Sequence, residues 1–260
     1  MTTIEYYNSY ADKFKSTFPT LFEFSAPLNE RNLPMVNTAD YLLPKIAPES
    51  SFLDVGCGWG AFSDYLPSSV RYTGIDNSKA MLSFATPKEN ATFIQDDFHL
   101  LPFEDNSFDY ILANESLNYA NVENVHREIH RVLKPEGKFY SKMWLFRKPA
   151  EEALAFNKNI VSSIIGIEND LNVFGIQDLG LYQDELNKFF NHKSEAPLGF
   201  TPHSLDVLSL FKVSEDGTKL EWESSFSEEE AKEFRRTAFK VFAPVFCGWS
   251  PDSFFVCTKK

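Results

Sequence analysis

Basic residues are scarce in this chain. Its 260 residues hold 25 Lys and Arg against 37 Asp and Glu, a formal net charge of −12. A nucleic-acid backbone is bound through clustered cations, and so is an anionic membrane surface; neither partner is expected. Cysteine is scarcer still. Cys57, Cys247 and Cys257 are odd in number and widely spread, which provides no disulfide framework and no metal-ligand spacing. A reducing, cytoplasmic compartment suits such a chain. The first 30 residues carry Glu5, Asp12, Lys13, Lys15, Glu23 and Glu30 without an apolar run, so neither a signal peptide nor membrane insertion is expected. Internal repeats and low-complexity tracts are absent from the sequence as well.

Aromatic residues are what the chain has in excess: 26 Phe, 10 Tyr and 4 Trp make 15% of it. With 43% hydrophobic and 24% charged residues, a packed core in one large domain is expected. Most of the rings belong to that core. A minority is left to wall a pocket for an apolar ligand.

The pattern along the chain alternates strands with helices. Residues 4–18 place Tyr7, Tyr10, Phe14 and Phe18 on one helical face, and residues 35–46 form a second helix. Strands are expected at 51–55, 71–76, 92–97, 108–114 and 138–144, with short helices after the first two. Asn121 caps a helix with Val122, Val125, Ile129, Val132 and Leu133 on its apolar face, which Pro135 and Gly137 stop. His126 and His130 fall on its polar side. Residues 147–205 break the rhythm with helical patterns at 153–165 and 184–190 and no strand of the sheet. A sixth strand at 219–226, a helix opened by the Ser227/Glu230 capping box and a seventh, antiparallel edge strand at 253–258 follow. The fold expected is an α/β, doubly wound, mostly parallel seven-stranded sheet with an inserted helical cap. Its parts are an N-terminal lid (1–48), a ligand-binding core (49–146), a substrate cap (147–205) and a closing segment (206–260).

The stretch Leu53-Asp-Val-Gly-Cys-Gly-Trp-Gly-Ala61 is a strand, a glycine-rich turn and the start of a helix. Gly56, Gly58 and Gly60 can take φ > 0 and let a ligand lie on the backbone, with helix N–H groups aimed at it. Asp76 follows Gly56 by twenty residues, where a carboxylate can accept from ribose hydroxyls. Up to this point NAD and any other adenosyl ligand fit equally. Asp54 separates them: a carboxylate entering the turn would repel a pyrophosphate but favour an ammonium or a sulfonium.

Five segments, Leu53–Gly60, Gly74-Ile-Asp76, Asp97 ahead of Leu101-Pro-Phe103, Asn106-Ser-Phe-Asp109 and Arg127-Glu-Ile-His-Arg-Val-Leu-Lys-Pro135, resemble in order and spacing the class I S-adenosylmethionine-dependent methyltransferases. The similarity is greater to the small-molecule group typified by ubiquinone-type and arsenite-type enzymes. The resemblance spans residues 52–144 and implies S-adenosyl-L-methionine as cofactor. It implies that Asp54, Gly56 and Gly58 hold the methionine end, Asp76 the ribose and Asn77 the adenine face. Asp97 and the backbone at Phe98 would serve the adenine edge, and Asn114 would flank the methionine carboxylate. Asp109 would be structural. The single glycine of Pro135-Glu-Gly137, where a second is usual, implies only a loop difference.

Methyl transfer is an in-line displacement that needs alignment, dryness and, for some acceptors, a base. Glu115, one residue past the fourth strand, is the first candidate base. Tyr119 is a second catalytic candidate, at a spot where relatives carry histidines. His99 lies in the adenine-side loop and reads as a surface residue. Tyr7, Tyr10, Trp144 and His203 are candidates to line the acceptor site. No Asn-Pro-Pro-Tyr motif follows the fourth strand, so a DNA or glutamine acceptor is not expected. The reading is methylation of oxygen or carbon on a small, largely apolar acceptor by a monomer or homodimer. The rivals are an NAD-dependent oxidoreductase and a non-catalytic adenosyl-ligand-binding protein.

Overall fold

The computed structural model describes residues 8, 11, 38–39, 41–143, 145, 178–194, 211–213, 220–222 and 254–260. Nine strands and three α-helices are found in them. The strands are β1 (Ser51–Val55), β2 (Arg71–Asp76), β3 (Ala91–Gln95), β4 (Phe108–Asn114), β5 (Leu133–Lys142), β6 (Phe190–Ser194), β7 (Phe211–Val213), β8 (Leu220–Trp222) and β9 (Phe254–Lys259). The helices are α1 (Lys79–Leu82), α2 (Val122–Val132) and α3 (Leu179–Phe189).

Seven strands form one sheet in the order β3-β2-β1-β4-β5-β9-β6. β1 pairs in parallel with β2 and β4, and β9 runs antiparallel to both β5 and β6. The order reverses between β1 and β4, so a crevice opens at their carboxyl ends, where ligands bind in doubly wound sheets. All five residues of β1 are buried, as expected for a strand covered on both faces.

The expected sheet is present, with three corrections. β9 is antiparallel but internal, because β6 lies outside it. β6 comes from residues 190–194, inside the stretch assigned to a strandless cap; the tail of a helical pattern hid a five-residue strand. β8, expected to complete the large sheet, pairs with β7 in a separate two-stranded sheet. α2 also passes directly into β5, so Pro135–Gly137 lie within an irregular strand whose register shifts against β4, and not in a loop. The helices expected at 153–165 and 227–242 lie outside the described residues.

α2 buries Val122, Val125, Ile129 and Val132 against the sheet. It also buries His126 completely, which corrects its assignment to the polar side. Position 126 lies one turn after Val122 and one before Ile129, so helical geometry turns it inward regardless of residue type. Its ring sits edge-on to Phe139, Tyr182, Phe189 and Phe190. Nε2 lies 3.3 Å from the Tyr182 hydroxyl, which is 2.5 Å from Ser141 Oγ. This polar chain joins α2, α3 and β5 through the core. Burial pushes the His126 pKa down from 6.5 to about 3. The unfolded chain takes up a proton below pH 6.5 that the folded chain refuses until pH 3, so stability is complete above 6.5 and falls as the pH drops. Chemical denaturation at pH 7 and pH 5 should show a loss of about 2 kcal/mol from this residue. His126→Gln should remove that part of the pH dependence.

Candidate functional site

The crevice is built around the turn that leaves β1. Gly56 takes φ 72°, and a Cβ there would collide with Ser116, the residue two beyond β4. Ser116 Oγ donates to the Val55 carbonyl at 2.5 Å. The ends of β1 and β4 are thus fastened at the point where the strand order reverses. Gly58 and Gly60 take φ 57° and 72°. The turn leads into a single 3-10 turn, Ala61–Asp64, and not into the α-helix expected to aim its N–H groups at a ligand. Its amides serve the neighbouring strand: Gly56 and Cys57 both donate to the Ile75 carbonyl, at 2.8 and 3.1 Å. The turn is therefore a rigid, Cβ-free shelf.

A buried carboxyl, Asp54, and a partly buried one, Asp76, flank that shelf. Asp54 is 3% exposed, and its Oδ2 accepts from the Tyr72 hydroxyl at 2.8 Å. Desolvation raises its pKa to about 7 against the pull of Tyr72, and nearby Asp76 adds to the rise. Asp76 accepts from the Gly58 amide through Oδ2 and from the Ser78 amide through Oδ1, both at 2.8 Å. Burial still holds its carboxyl above the usual value, the backbone bonds opposing. An ionised carboxylate has about four lone-pair sites, so two amides leave capacity for two ribose hydroxyls. Two acids held above their ordinary pKa by burial, Asp54 further raised by Asp76, fit a cationic ligand and oppose a pyrophosphate.

The loop after β3 adjoins the turn. Asp97 and Phe98 follow Gln95, outside the strand expected to contain Asp97. The Phe98 ring edge approaches Gly56, while Asn77 is exposed ahead of α1. Asn8, one of two described residues among the first 37, accepts from Ser78 Oγ at 2.8 Å and from the Ala80 amide at 3.4 Å. That contact brings the segment read as a lid to the strand end carrying Asp76.

On the far side of the turn, Asn114 ends β4 and its Oδ1 accepts from Thr38 Oγ1 at 3.4 Å. Glu115 has φ 60°, in the left-handed region that costs a non-glycine residue about 1–3 kcal/mol. Its Oε1 lies 2.8 Å from Lys142 Nζ at the end of β5. Asp54, Gly56, Gly58, Asp76, Asn114 and Glu115 thus converge on one edge of the sheet, with Asp97 and Phe98 on the adjoining loop. Tyr119 closes the 3-10 turn Leu117–Tyr119 beyond it. Tyr7, Tyr10, Trp144 and His203 lie outside the described residues.

Tyr72, Ser116 and Lys142 were not legible as site residues, because each acts through a partner on another strand. The strand pairing Asn114↔Lys142 puts Lys142 beside Glu115, and only register carries that information. Asp109 is structural, as the resemblance implied: it accepts from the Ser51 amide and from Lys134 Nζ at the opposite end of β4. That end also holds a cavity of about 920 Å³, lined by Tyr41, Lys45, Tyr110, Lys138 and Tyr140 among others. It is remote from the glycine turn.

Removing the Tyr72 hydroxyl leaves a buried carboxyl oxygen without its partner, at a cost of about 1–3 kcal/mol. Tyr72→Phe should lower unfolding free energy by that amount in urea titration.

Residues 53–141 match the family described as "Methyltransferase domain". The sterol 24-C-methyltransferase erg6 of Schizosaccharomyces pombe is 33% identical over 129 residues, which cover 46% of this chain and 34% of that protein. The fatty-acid O-methyltransferase of Mycolicibacterium smegmatis is 37% identical over 94 residues, 34% of each chain. The chain thus spans about a third of the length of these curated relatives. Among solved structures, the complex between the Haloferax volcanii Trm112 methyltransferase activator and a putative methyltransferase matches with a TM-score of 0.58. That match has 19% identity and covers 99% of this chain and 97% of the other, a likeness of fold. With the glycine shelf, its flanking acids and this sheet order, residues 53–141 belong to the class I S-adenosylmethionine-dependent methyltransferases.

Proposed function

We propose that the chain transfers a methyl group from S-adenosyl-L-methionine to a small, largely apolar acceptor, at oxygen or carbon. The observation that carries this reading is the pair of acids, Asp54 buried and Asp76 partly buried, on either side of a Cβ-free turn at the β1/β4 crevice. The burial of both carboxyls, and the push of Asp76 on Asp54, are offset by a ligand with positive charge, and NAD would bring two phosphates instead. When bound, the cofactor supplies an electrophilic methyl on a sulfonium. The chain's part is to hold and align it. Asp76 accepts from the ribose hydroxyls, Asp54 balances the cationic end, and Asn114 flanks the methionine carboxylate. Glu115 stands at the acceptor side, held by Lys142, as a base for acceptors that must lose a proton. The apolar acceptor is supported by the sterol and fatty-acid specificities in the relatives' names and by the 15% aromatic content.

Calorimetric titration of the full chain with S-adenosylhomocysteine and with NAD separates this reading from an oxidoreductase. Binding of the thioether and none of NAD is expected; the reverse would overturn the proposal. Asp76→Ala should weaken thioether binding by about 1–3 kcal/mol, as for a site polar group left unpaired.

Asp54 sets a pH dependence. Its free-state pKa near 7 falls when a cation binds beside it, so cofactor affinity is full above pH 7 and weakens as pH drops through that value. The loss should approach roughly tenfold per pH unit below 7. Asp54→Asn should flatten the profile.

A further inference from the structure

His99 sits in the loop that follows β3 and touches two elements at once. Its backbone amide donates to Asp97 Oδ1 at 2.9 Å, and its ring Nδ1 lies 2.6 Å from the same oxygen. On the other side of the ring, Nε2 lies 3.1 Å from the backbone nitrogen of Asn121. A backbone N–H can only donate. Nε2 therefore carries the lone pair, and in the neutral ring the proton is on Nδ1, where it is given to Asp97. Asn121 is the N-cap of α2, its Oδ1 accepting from the Asn124 amide. The ring is stacked on Phe98, centroids 5.2 Å apart and planes 30° off parallel.

The rest of the loop is strapped to the same helix. Leu101 N–H donates to Glu128 Oε2 at 2.9 Å, and Arg131 donates to the carbonyls of Leu101 and Phe103 at 2.9 and 2.7 Å. Asp97 itself is 57% exposed. A carboxylate so open to water samples several rotamers unless something holds it. Here both bonds from His99 fall on Oδ1, which fixes the plane of the carboxylate and leaves Oδ2 turned away from the histidine. The bonds from His99 also hold the Asp97 carboxyl below its usual value, against partial burial.

We propose that His99 is a positioning residue for purine recognition. Its ring ties Asp97 to the N-cap of α2, so that the second carboxylate oxygen is set to accept from the 6-amino group of the adenosyl cofactor. This rests on the cofactor reading above and adds to it the residue that determines how well adenine is told from other purines. A second consequence concerns the ring itself: its Nε2 lone pair is occupied by the Asn121 amide, so His99 serves no acceptor as a base.

The test is a ratio of affinities. The full chain is titrated calorimetrically with S-adenosylhomocysteine and with its analogue bearing hydrogen in place of the 6-amino group. That analogue keeps ribose, amino acid and ring nitrogens, so the ratio isolates the amino contact. The unaltered chain should prefer the amino form by roughly tenfold, the size of one hydrogen bond to a charged group. Asp97→Ala should bring the ratio near one, and His99→Ala should bring it most of the way there. His99→Phe keeps the ring volume and the stack on Phe98 while removing both nitrogens, and it should behave as His99→Ala does. It also supplies the reading if the alanine variant fails to fold. A merely structural role for His99 would weaken both ligands equally and leave the ratio intact, which overturns the proposal while Asp97 keeps its own. A ratio unchanged in Asp97→Ala would overturn both. Absence of any thioether binding to the unaltered chain would instead defeat the cofactor reading on which they stand.

Discussion

The contact between Gly56 and Ser116 is what the carboxyl edge of the sheet depends on. Ser116 occupies the space a Cβ would take at Gly56 and donates its hydroxyl to the Val55 carbonyl. β1 and β4 are separated in sequence by two strands, and their ladder ends at the pair Asp54↔Leu112. Beyond that pair, this close approach joins the two strand ends. It holds the glycine turn against the start of the 115–121 segment, and so ties the two sides of the crevice together. The left-handed backbone at Glu115 follows from the same constraint. The chain must reverse sharply to bring Ser116 over the turn, and Glu115 absorbs the bend.

From that fastening, the site divides into parts with different electrostatics. Around the glycine turn it is acidic, with Asp54 and Asp76 both raised above their ordinary values by burial. Such a site stores unfavourable energy that a cation releases. The loop after β3 is more open to water. Asp97 is exposed and stays ionised through hydrogen bonds, its geometry held by His99. Glu115 has a direct cationic neighbour in Lys142, so its charge is balanced from within the chain. A carboxylate balanced in this way adds no net charge to the crevice, whereas the charge of Asp54 is left for a ligand to balance.

The opposite end of the sheet does structural work. Asp109, Ser51 and Lys134 tie the starts of β1, β4 and β5, at the end away from the glycine turn. The His126–Tyr182–Ser141 chain ties α2, α3 and β5 through the core, on the carboxyl half of β5, where Ser141 pairs with Ala113. They account for several polar residues that, read alone, resemble catalytic groups.

Much of the site was legible from residue order, because its parts are local. Gly56, Gly58 and Gly60 are spaced for one turn, and Asp76 and Asn114 each end a strand whose apolar run is plain in the sequence. Strand existence followed from short hydrophobic runs between polar turns, and the parallel order from their alternation with helices. What the tertiary structure alone decided depends on pairing between distant segments. His126 looked polar until four aromatic rings closed round it. Phe190 read as the end of a helical pattern and residues 191–194 as part of a strandless stretch, until β9 supplied a hydrogen-bonding partner. Tyr72 belongs to the site only because the pairing of β1 with β2 brings its hydroxyl to Asp54, and Lys142 only because β4–β5 register sets it beside Asn114. Period and spacing are properties of one segment, whereas burial and register belong to pairs of segments. The chain's order by itself therefore determined which residues could make a cofactor site, and the packed sheet decided which neighbours hold each of them in place.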